Sequence, residues 1–314
     1  LGIILTVCSK NDLENATAGL SHPSGALTQS DFALIKANWD NKDQNILSIA
    51  ETLNIGLNSL VFIDDNPAER NLVKNSLPEV AVPEISKVEE YIGFIEQGGY
   101  FETTSLTADD INRTKMYQQN AQRETLRKSF GNYHDYLLSI EMKALISDFQ
   151  AFYMERISQL TNKSNQFNLT TKRYTQAQIN EIFESPSYIR LFGKLKDKFG
   201  DNGVVSILIG KRDNLTLHLD LWLMSCRVLK RDMEYAMMDT LVEACGSYGI
   251  ETIYGYYYPT PKNKMVQFFY KNMGFALVSE DEQGNTVWEF SIKNYRPKNS
   301  VIKIVSEEIY NDER

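Results

Sequence analysis

Ser59-Leu60-Val61-Phe62-Ile63-Asp64-Asp65-Asn66-Pro67-Ala68-Glu69-Arg70 is a short apolar run that halts on two acids and a turn. A brief apolar run bounded by turn formers reads as a strand buried on both faces. Asn66-Pro67 reads as the start of a helix, because Asn caps free amides and proline suits the first helical position. The stretch therefore predicts strand, acidic turn, helix. In a parallel sheet such a turn lies at the carboxyl end of a strand, which is where open α/β folds bind ligands.

Upstream, residues 1–8 form a second apolar run, ending at Cys8-Ser9. Residues 12–20 read as a helix, and residues 43–53 place Ile46, Ile49, Ala50 and Leu53 at helical spacing. Downstream, residues 68–75 read as a helix and Val80-Ala81-Val82-Pro83 as one more strand. Alternating strands and helices predict a doubly wound parallel sheet. The first residues lack a basic leader and a small-residue cleavage site, so a signal peptide is not expected. They read as a strand already inside a domain, as if the chain began partway through a longer protein.

The whole chain has 314 residues, which predicts two domains. Apolar residues at 42% and charged ones at 24% are an ordinary globular mix. No apolar run is long enough for a transmembrane helix, so no membrane partner is expected. A net charge of −8 lacks the basic excess of a nucleic-acid binder. Cys8, Cys226 and Cys245 are far apart and without CxxC spacing, which argues against a disulfide framework or a zinc site. A reducing cytoplasm is the expected compartment.

Residues 106–140 read as a helical linker, polar over most of its length. From residue 141 the pattern changes. Strands are expected at 141–147, 188–197, 203–212, 215–224, 251–257, 275–279 and 286–292. Helices are expected near 150–161, 175–184, 232–248 and 263–273. Gly200-Asp201-Asn202-Gly203 and Asp213-Asn214 carry hairpin chemistry. An α+β domain with a mixed sheet over 141–292 follows, and residues 293–314 read as a polar tail.

Ser9 and the Asp64-Asp65 pair both fall at strand ends. Two adjacent carboxylates repel unless a cation neutralises them. Mg²⁺ takes oxygen ligands, commonly one or two carboxylates with substrate phosphate. A strand-end hydroxyl can bond a phosphate oxygen, and a nearby lysine can offset charge developing on a transferred phosphoryl group. The plainer readings are a turn with a helix cap for Asp-Asp-Asn-Pro and a solvated surface residue for Lys42.

Cys8-Ser9-Lys10-Asn11, then Asn38-Trp39-Asp40-Asn41-Lys42, then Val61 through Arg70 closely resemble the FkbH-like branch of the haloacid dehalogenase-like (HAD) superfamily. The resemblance covers residues 1–105. It implies that Ser9 contacts phosphate, that Lys42 is the third motif's lysine, and that Asp64 and Asp65 are metal acids for Mg²⁺. The superfamily's nucleophilic aspartate belongs to a DxDx[TV] motif that this sequence does not contain. The implied fold is therefore a partial HAD-like sheet, with little or no phosphatase activity expected of these residues alone. FkbH-like proteins move a glyceryl unit from a phosphorylated glycerate to an acyl carrier protein. Both a phosphorylated small-molecule substrate and a carrier protein are thus implied partners. Cys8, beside Ser9 at the strand end, is the candidate to carry a thioester, its thiolate favoured by Lys10, Lys42 and a bound metal. The alternative is a small buried hydrophobe closing a strand.

Residues 141–292 resemble the GNAT acyltransferase fold. Asn165-Gln166-Phe167-Asn168-Leu169-Thr170-Thr171-Lys172-Arg173-Tyr174-Thr175, Met224-Ser225-Cys226-Arg227-Val228-Leu229, and Asn263 with Phe269-Tyr270-Lys271-Asn272-Met273-Gly274-Phe275 match boxes of this domain in FkbH-like proteins. On that resemblance Asn165, Asn168, Thr170, Arg227, Asn263 and Tyr270 are candidates to hold coenzyme A or a carrier's phosphopantetheine. GNAT enzymes bind the donor pyrophosphate on an [RQ]xxGx[GA] turn whose amides open a helix. Here Arg227 fits the first position, while Lys230 and Asp232 replace the two small residues. A carboxylate at a helix start repels pyrophosphate, which weighs against coenzyme A. The plainer reading of residues 165–175 is a polar loop and helix cap. Tyr254-Gly255-Tyr256-Tyr257-Tyr258-Pro259 reads as a strand with aromatic faces. Two rival functions remain open: a Mg²⁺-dependent phosphatase of small metabolites, and a non-catalytic binding module.

Overall fold

Parallel pairing begins with the first two strands of the computed structural model, which describes residues 2–85, 87–102 and 112–312. Strand β1 (Leu5–Ser9) lies parallel to β2 (Phe32–Ala37), with Ser9 opposite Ala37. Helix α1 (Leu13–Gly19) connects them, and α2 (Lys42–Leu53) follows β2. Runs 59–63 and 80–83 do not form full strands. They meet in one parallel bridge, Val61 to Ala81, with Phe62 N–H donating to the Ala81 carbonyl at 2.8 Å. Helices α3 (Pro67–Ser76), α4 (Tyr91–Gln97) and α5 (Arg113–Arg127) complete this unit, whose bounds are Leu1–Ser129.

Two core clusters stand out among its described residues. Ile46, Phe62, Val73, Leu77 and Val80 form one; Ala33, Ile49, Leu53 and Tyr117 form the other. Helix α2 serves both because Ile46, Ile49 and Leu53 recur at helical spacing. Helix α5 lies within the residues expected as a helical linker, 106–140. This helix packs on β2 and α2, burying Met116 and Tyr117. Gln118 Nε2 donates to the carbonyls of Ser30 (3.0 Å) and Phe32 (2.8 Å). Arg123, on the same helix, is buried as well. Residues 103–111 of that expected linker lie outside the described residues.

The second unit, Phe130–Arg314, is a mixed sheet with helices. It runs α6 (Tyr133–Ser139), β3 (Lys143–Ser147), α7 (Met154–Lys163), β4 (Phe167–Asn168), α8 (Gln176–Glu184), β5 (Tyr188–Asp197), β6 (Gly200–Asp213) and β7 (Thr216–Met224). It continues with α9 (Met233–Ser247), β8 (Thr252–Tyr257), α10 (Phe269–Met273), β9 (Ala276–Glu280), β10 (Thr286–Ser291), β11 (Lys303–Ile304) and α11 (Glu307–Asn311). The strand order is β11-β3-β5-β6-β7-β8-β10-β9. Pairing is antiparallel except at β7–β8 and β11–β3. The mixed α/β architecture, one small parallel sheet and one larger mixed sheet, is the one expected from the sequence.

The segment expected as a polar tail is built into this sheet instead. Strand β11 pairs with β3, and Val301, Ile302, Val305 and Tyr310 are buried. Tyr310 is clasped by the ammonium groups of Lys194 and Lys196, at 4.5 and 4.8 Å from its ring centre, and donates to Asp201 at 2.7 Å. No helix among the described residues is long and apolar enough to cross a membrane.

Candidate active site

Lysine in the first turn of a helix is disfavoured, because the helix dipole presents positive charge there, at a cost of about 0.3–1 kcal/mol. Lys42 opens α2 in this position. The loop before it is pinned by Asn38 and Asn45, whose amides exchange hydrogen bonds at 3.1 and 2.7 Å. Trp39 Nε1 donates to Asp12 at 3.0 Å. What offsets the misplaced charge is Asp64, which pairs with the Lys42 ammonium through one carboxylate oxygen. Its other oxygen accepts the Asn66 N–H at 2.9 Å. Asp64 is 8% exposed, whereas Asp65 lies open to solvent.

The acidic turn is held by several hydrogen bonds. Arg70 Nη1 donates to the carbonyls of Asp64 (2.7 Å) and Asp65 (3.0 Å). Asn66 caps α3 by accepting the Ala68 N–H at 2.9 Å, with Pro67 at the first helical position. Sequence reasoning gave Arg70 no role, nor Glu69. Glu69 binds the Lys10 ammonium at 2.8 Å, and its second oxygen is buried without a hydrogen-bond partner. An acid in the first turn of a helix was the available signal for Glu69. Ser9 is the last residue of β1, half-buried, between Cys8 and Lys10.

Cys8 touches both core clusters of this unit, and its thiol donates weakly to the Lys42 carbonyl at 3.7 Å. Burial pushes the thiol up from 9.0 to about 11, overcoming the pull of Lys42, while Asp64 and Glu69 add to the push. Without a bound cation, desolvation outweighs the two lysines and favours the protonated thiol at neutral pH. Because thiolate is the reactive form, alkylation of native Cys8 by iodoacetamide should stay slow at pH 8 and climb toward pH 11, read by peptide mass. A plateau reached near pH 7 contradicts this. The raised value also means that Cys8 contributes stability below its unfolded value of 9.0, and that this is lost as pH rises through about 11.

Among the described residues no three His, Cys, Asp or Glu side chains gather into a metal cage. Asp64 offers one buried carboxylate and Asp65 an exposed one. Mg²⁺ uses one or two carboxylates and fills its remaining positions with water and substrate phosphate. The donor set fits a hard cation that arrives with phosphate and shares Asp64 with Lys42.

In the second unit the sequence-predicted side chains hold the chain together. Asn165 accepts from Arg173, which also donates to the carbonyls of Thr161 (2.5 Å) and Ser164 (3.3 Å) at the end of α7. Asn168 accepts the Thr171 N–H at 2.9 Å, and Thr170 donates to the Asp220 carbonyl at 2.7 Å. Thr175 and Gln178 form a capping box on α8. Asn263 donates to the carbonyls of Asn168 (2.9 Å) and Tyr258 (3.0 Å). The Tyr270 ring covers Gly255, where an added Cβ would come within 2.2 Å of a ring carbon. Arg227 Nε donates to Ser225 at 3.2 Å. The bonds of Asn165, Asn168, Thr170 and Thr175 are of the kind a loop and helix cap make.

The turn from β7 into α9 carries large charged side chains at the two positions where the GNAT pattern has small residues. Lys230 and Asp232 both have left-handed backbones, φ +64° and +60°, where small residues would sit most easily. Burial pushes Glu234 in the first turn of α9 up to about 7, with Asp232 adding to the effect, and one of its oxygens has no partner. A folded value above the unfolded 4.5 means that stability is greatest below 4.5 and is lost as pH rises through 7. Glu234→Gln should flatten urea-derived stability across that window; an unaltered slope contradicts the assignment.

No protein-family model matches the chain, and no curated protein does. Similar solved structures include the N-terminal part, containing a phosphatase domain, of a Bacteroides fragilis protein complexed with Mg. It is 43% identical over 33% of this chain, with a TM-score of 0.32, and the chain spans 28% of that protein's length. The ribosomal-protein-S18-alanine N-acetyltransferase of Escherichia coli is 11% identical over 49% of this chain and 99% of its own, with a TM-score of 0.37. A GNAT-family acetyltransferase of Streptococcus pneumoniae is 13% identical over 48% of this chain and 99% of its own, with a TM-score of 0.39. These three are a phosphatase domain and two acetyltransferases. These are the two kinds of domain that the sequence resembles. The TM-scores are low, so fold and site rest on the chain's own residues.

Proposed function

We propose that the first unit handles a phosphorylated small acid, with Mg²⁺ on Asp64 and Asp65 and the phosphate on Ser9 and Lys42. One observation carries this reading: the Lys42–Asp64 ion pair joins the start of α2 to the end of the 61–63 run. A cation, a helix N-terminus and a buried acid meet there, which suits a phosphate bound with its counter-ion. Mg²⁺, when bound, would supply charge neutralisation of the phosphate oxygens. Lys42 would orient the phosphate, and Arg70 would keep the acidic turn in shape.

The finer reading is glyceryl-type transfer to an acyl carrier protein in the cytoplasm, supported by the FkbH-like blocks at 8–11, 38–42 and 61–70. With no DxDx[TV] aspartate in this sequence, no aspartyl-phosphate is expected on these residues. Cys8 stays a candidate for the thioester only if a bound substrate or metal lowers its thiol. Saturation-transfer NMR tests the proposal. A phosphorylated three-carbon hydroxy acid should bind only with Mg²⁺ present, and Lys42→Met should lose most of the signal. Equal signal in Lys42→Met, or binding indifferent to Mg²⁺, refutes it. Loading of a carrier protein, read by intact mass, then tests the transfer itself.

A further inference from the structure

Strand β7 is bordered along its length by β6, from Asp213 opposite Thr216 to Ser206 opposite Met224. On its other edge β8 pairs only with residues 216–218. Parallel strands that part leave a row of unpaired N–H and C=O groups, and an extended amide-bearing chain can pair there as an added strand. The pantetheine arm of coenzyme A or of a carrier protein, with its two amides, is a ligand of that kind.

The row is already taken. Phe167 and Asn168 pair with Met224 and Leu223. Leu169 N–H donates to the Trp222 carbonyl at 3.1 Å, and the Tyr258 N–H donates to the Leu169 carbonyl at 2.9 Å. Residues 167–169 thus bridge β7 and the residue that follows β8. The fit is deep: Asn168, Leu169, Trp222 and Asn263 are 0% exposed. Phe167 packs edge-on against Phe269 at 5.1 Å, and Phe269 edge-on against Trp222 at 4.9 Å. Asn263 latches the segment from the side, on the carbonyls of Asn168 and Tyr258, while its own oxygen accepts the Thr260 N–H at 2.7 Å.

We infer that the gap between β7 and β8 is permanently occupied by the chain's own residues 167–169 and admits neither coenzyme A nor a carrier's pantetheine. The turn into α9 agrees in charge: Asp232 is its N-cap and Glu234 lies in its first turn, and carboxyl groups there disfavour a pyrophosphate. The acyltransferase-like fold serves here as a sheet whose ligand gap has become core.

Hydrogen exchange on the full chain tests this, with coenzyme A, acetyl-coenzyme A and free pantetheine as probes at millimolar concentration. The Leu169 and Tyr258 amides should exchange slowly and identically with and without each probe. A saturable, probe-dependent change at these two amides overturns the inference; binding that leaves them untouched is elsewhere and upholds it. Asn263→Ala sharpens the reading. If the segment is core, both amides exchange faster in the variant and still ignore the probes. If the variant gains a probe-dependent response, the segment is a displaceable plug and the inference fails. Should that variant not fold, the result on the unaltered chain still decides.

Discussion

Asp64→Ala should lower the stability of the first unit by about 3–4 kcal/mol and abolish its Mg²⁺-dependent phosphate binding. The loss has two sources. Lys42 would remain in a mostly buried place, at the positive end of α2, with its partner gone. The Asn66 N–H would also lose its acceptor. Lys42 keeps some contact with water, so the cost belongs at the lower end of what breaking a buried pair incurs. Asp65→Ala is the control. It removes an exposed side chain, and its effect on stability should stay within about 0.5 kcal/mol. Urea unfolding followed by hydrogen exchange of the α2 amides separates the two, because it reports on this unit alone. Equal stability losses in the two variants would refute the pairing as described.

Asn263→Ala should cost the second unit about 3 kcal/mol. Its side chain makes four hydrogen bonds, to the carbonyls of Asn168 and Tyr258 and from the N–H and hydroxyl of Thr260. At 0% exposure no water replaces them. Each buried group left unpaired costs about 1–3 kcal/mol, and partial relaxation keeps the sum below the total of the parts. Asn263→Asp retains an acceptor for Thr260 but supplies no donor to the two carbonyls, so it should lose at least as much. Near-UV circular dichroism during urea unfolding, which senses Trp222 and Phe269 beside this latch, reads the effect. A loss under about 1 kcal/mol in both variants would show that the latch is dispensable.

Much of the second unit could be read from sequence because its signals are local. The β6–β7 hairpin turns at Asn214-Leu215, one residue on from the expected Asp213-Asn214, and Asn214 takes the left-handed conformation such a turn demands; the β5–β6 hairpin turns at Lys198-Phe199 instead, and Gly200 to Gly203, expected as its turn, already belong to β6. Strand β8 alternates buried Ile253, Gly255 and Tyr257 with less buried neighbours. What escaped depended on partners distant in sequence. Strand β2 was overlooked since Phe32-Ala33-Leu34-Ile35 runs straight into Lys36 and a polar loop, and only its pairing with β1 makes it a strand. The 59–63 run was legible as an apolar segment, but its bridge to Ala81 is too short for a full strand. Strand β4 has two residues and no periodicity at all; its place is set by β7 and Asn263.

The candidate site divides in the same way. Lys42 and Asp64 were named from motif order and meet in space. Arg70 and the Lys10–Glu69 pair were not, since a helix-borne arginine and an exposed-looking lysine carry no signal until the turn is folded. The setting of Cys8 was legible only in part. Its lysine neighbours are visible in the sequence, but the burial that outweighs them is a property of the packed core.

Calorimetric titration of Mg²⁺ in the presence of inorganic phosphate, on the unaltered chain and on Asp64→Asn, bears on the first unit's site most directly. The unaltered chain should give a saturable heat that requires both Mg²⁺ and phosphate, Asn263→Ala should give the same heat while it remains folded, and Asp64→Asn should give none. Matching isotherms for the unaltered chain and Asp64→Asn would contradict the assignment of this site.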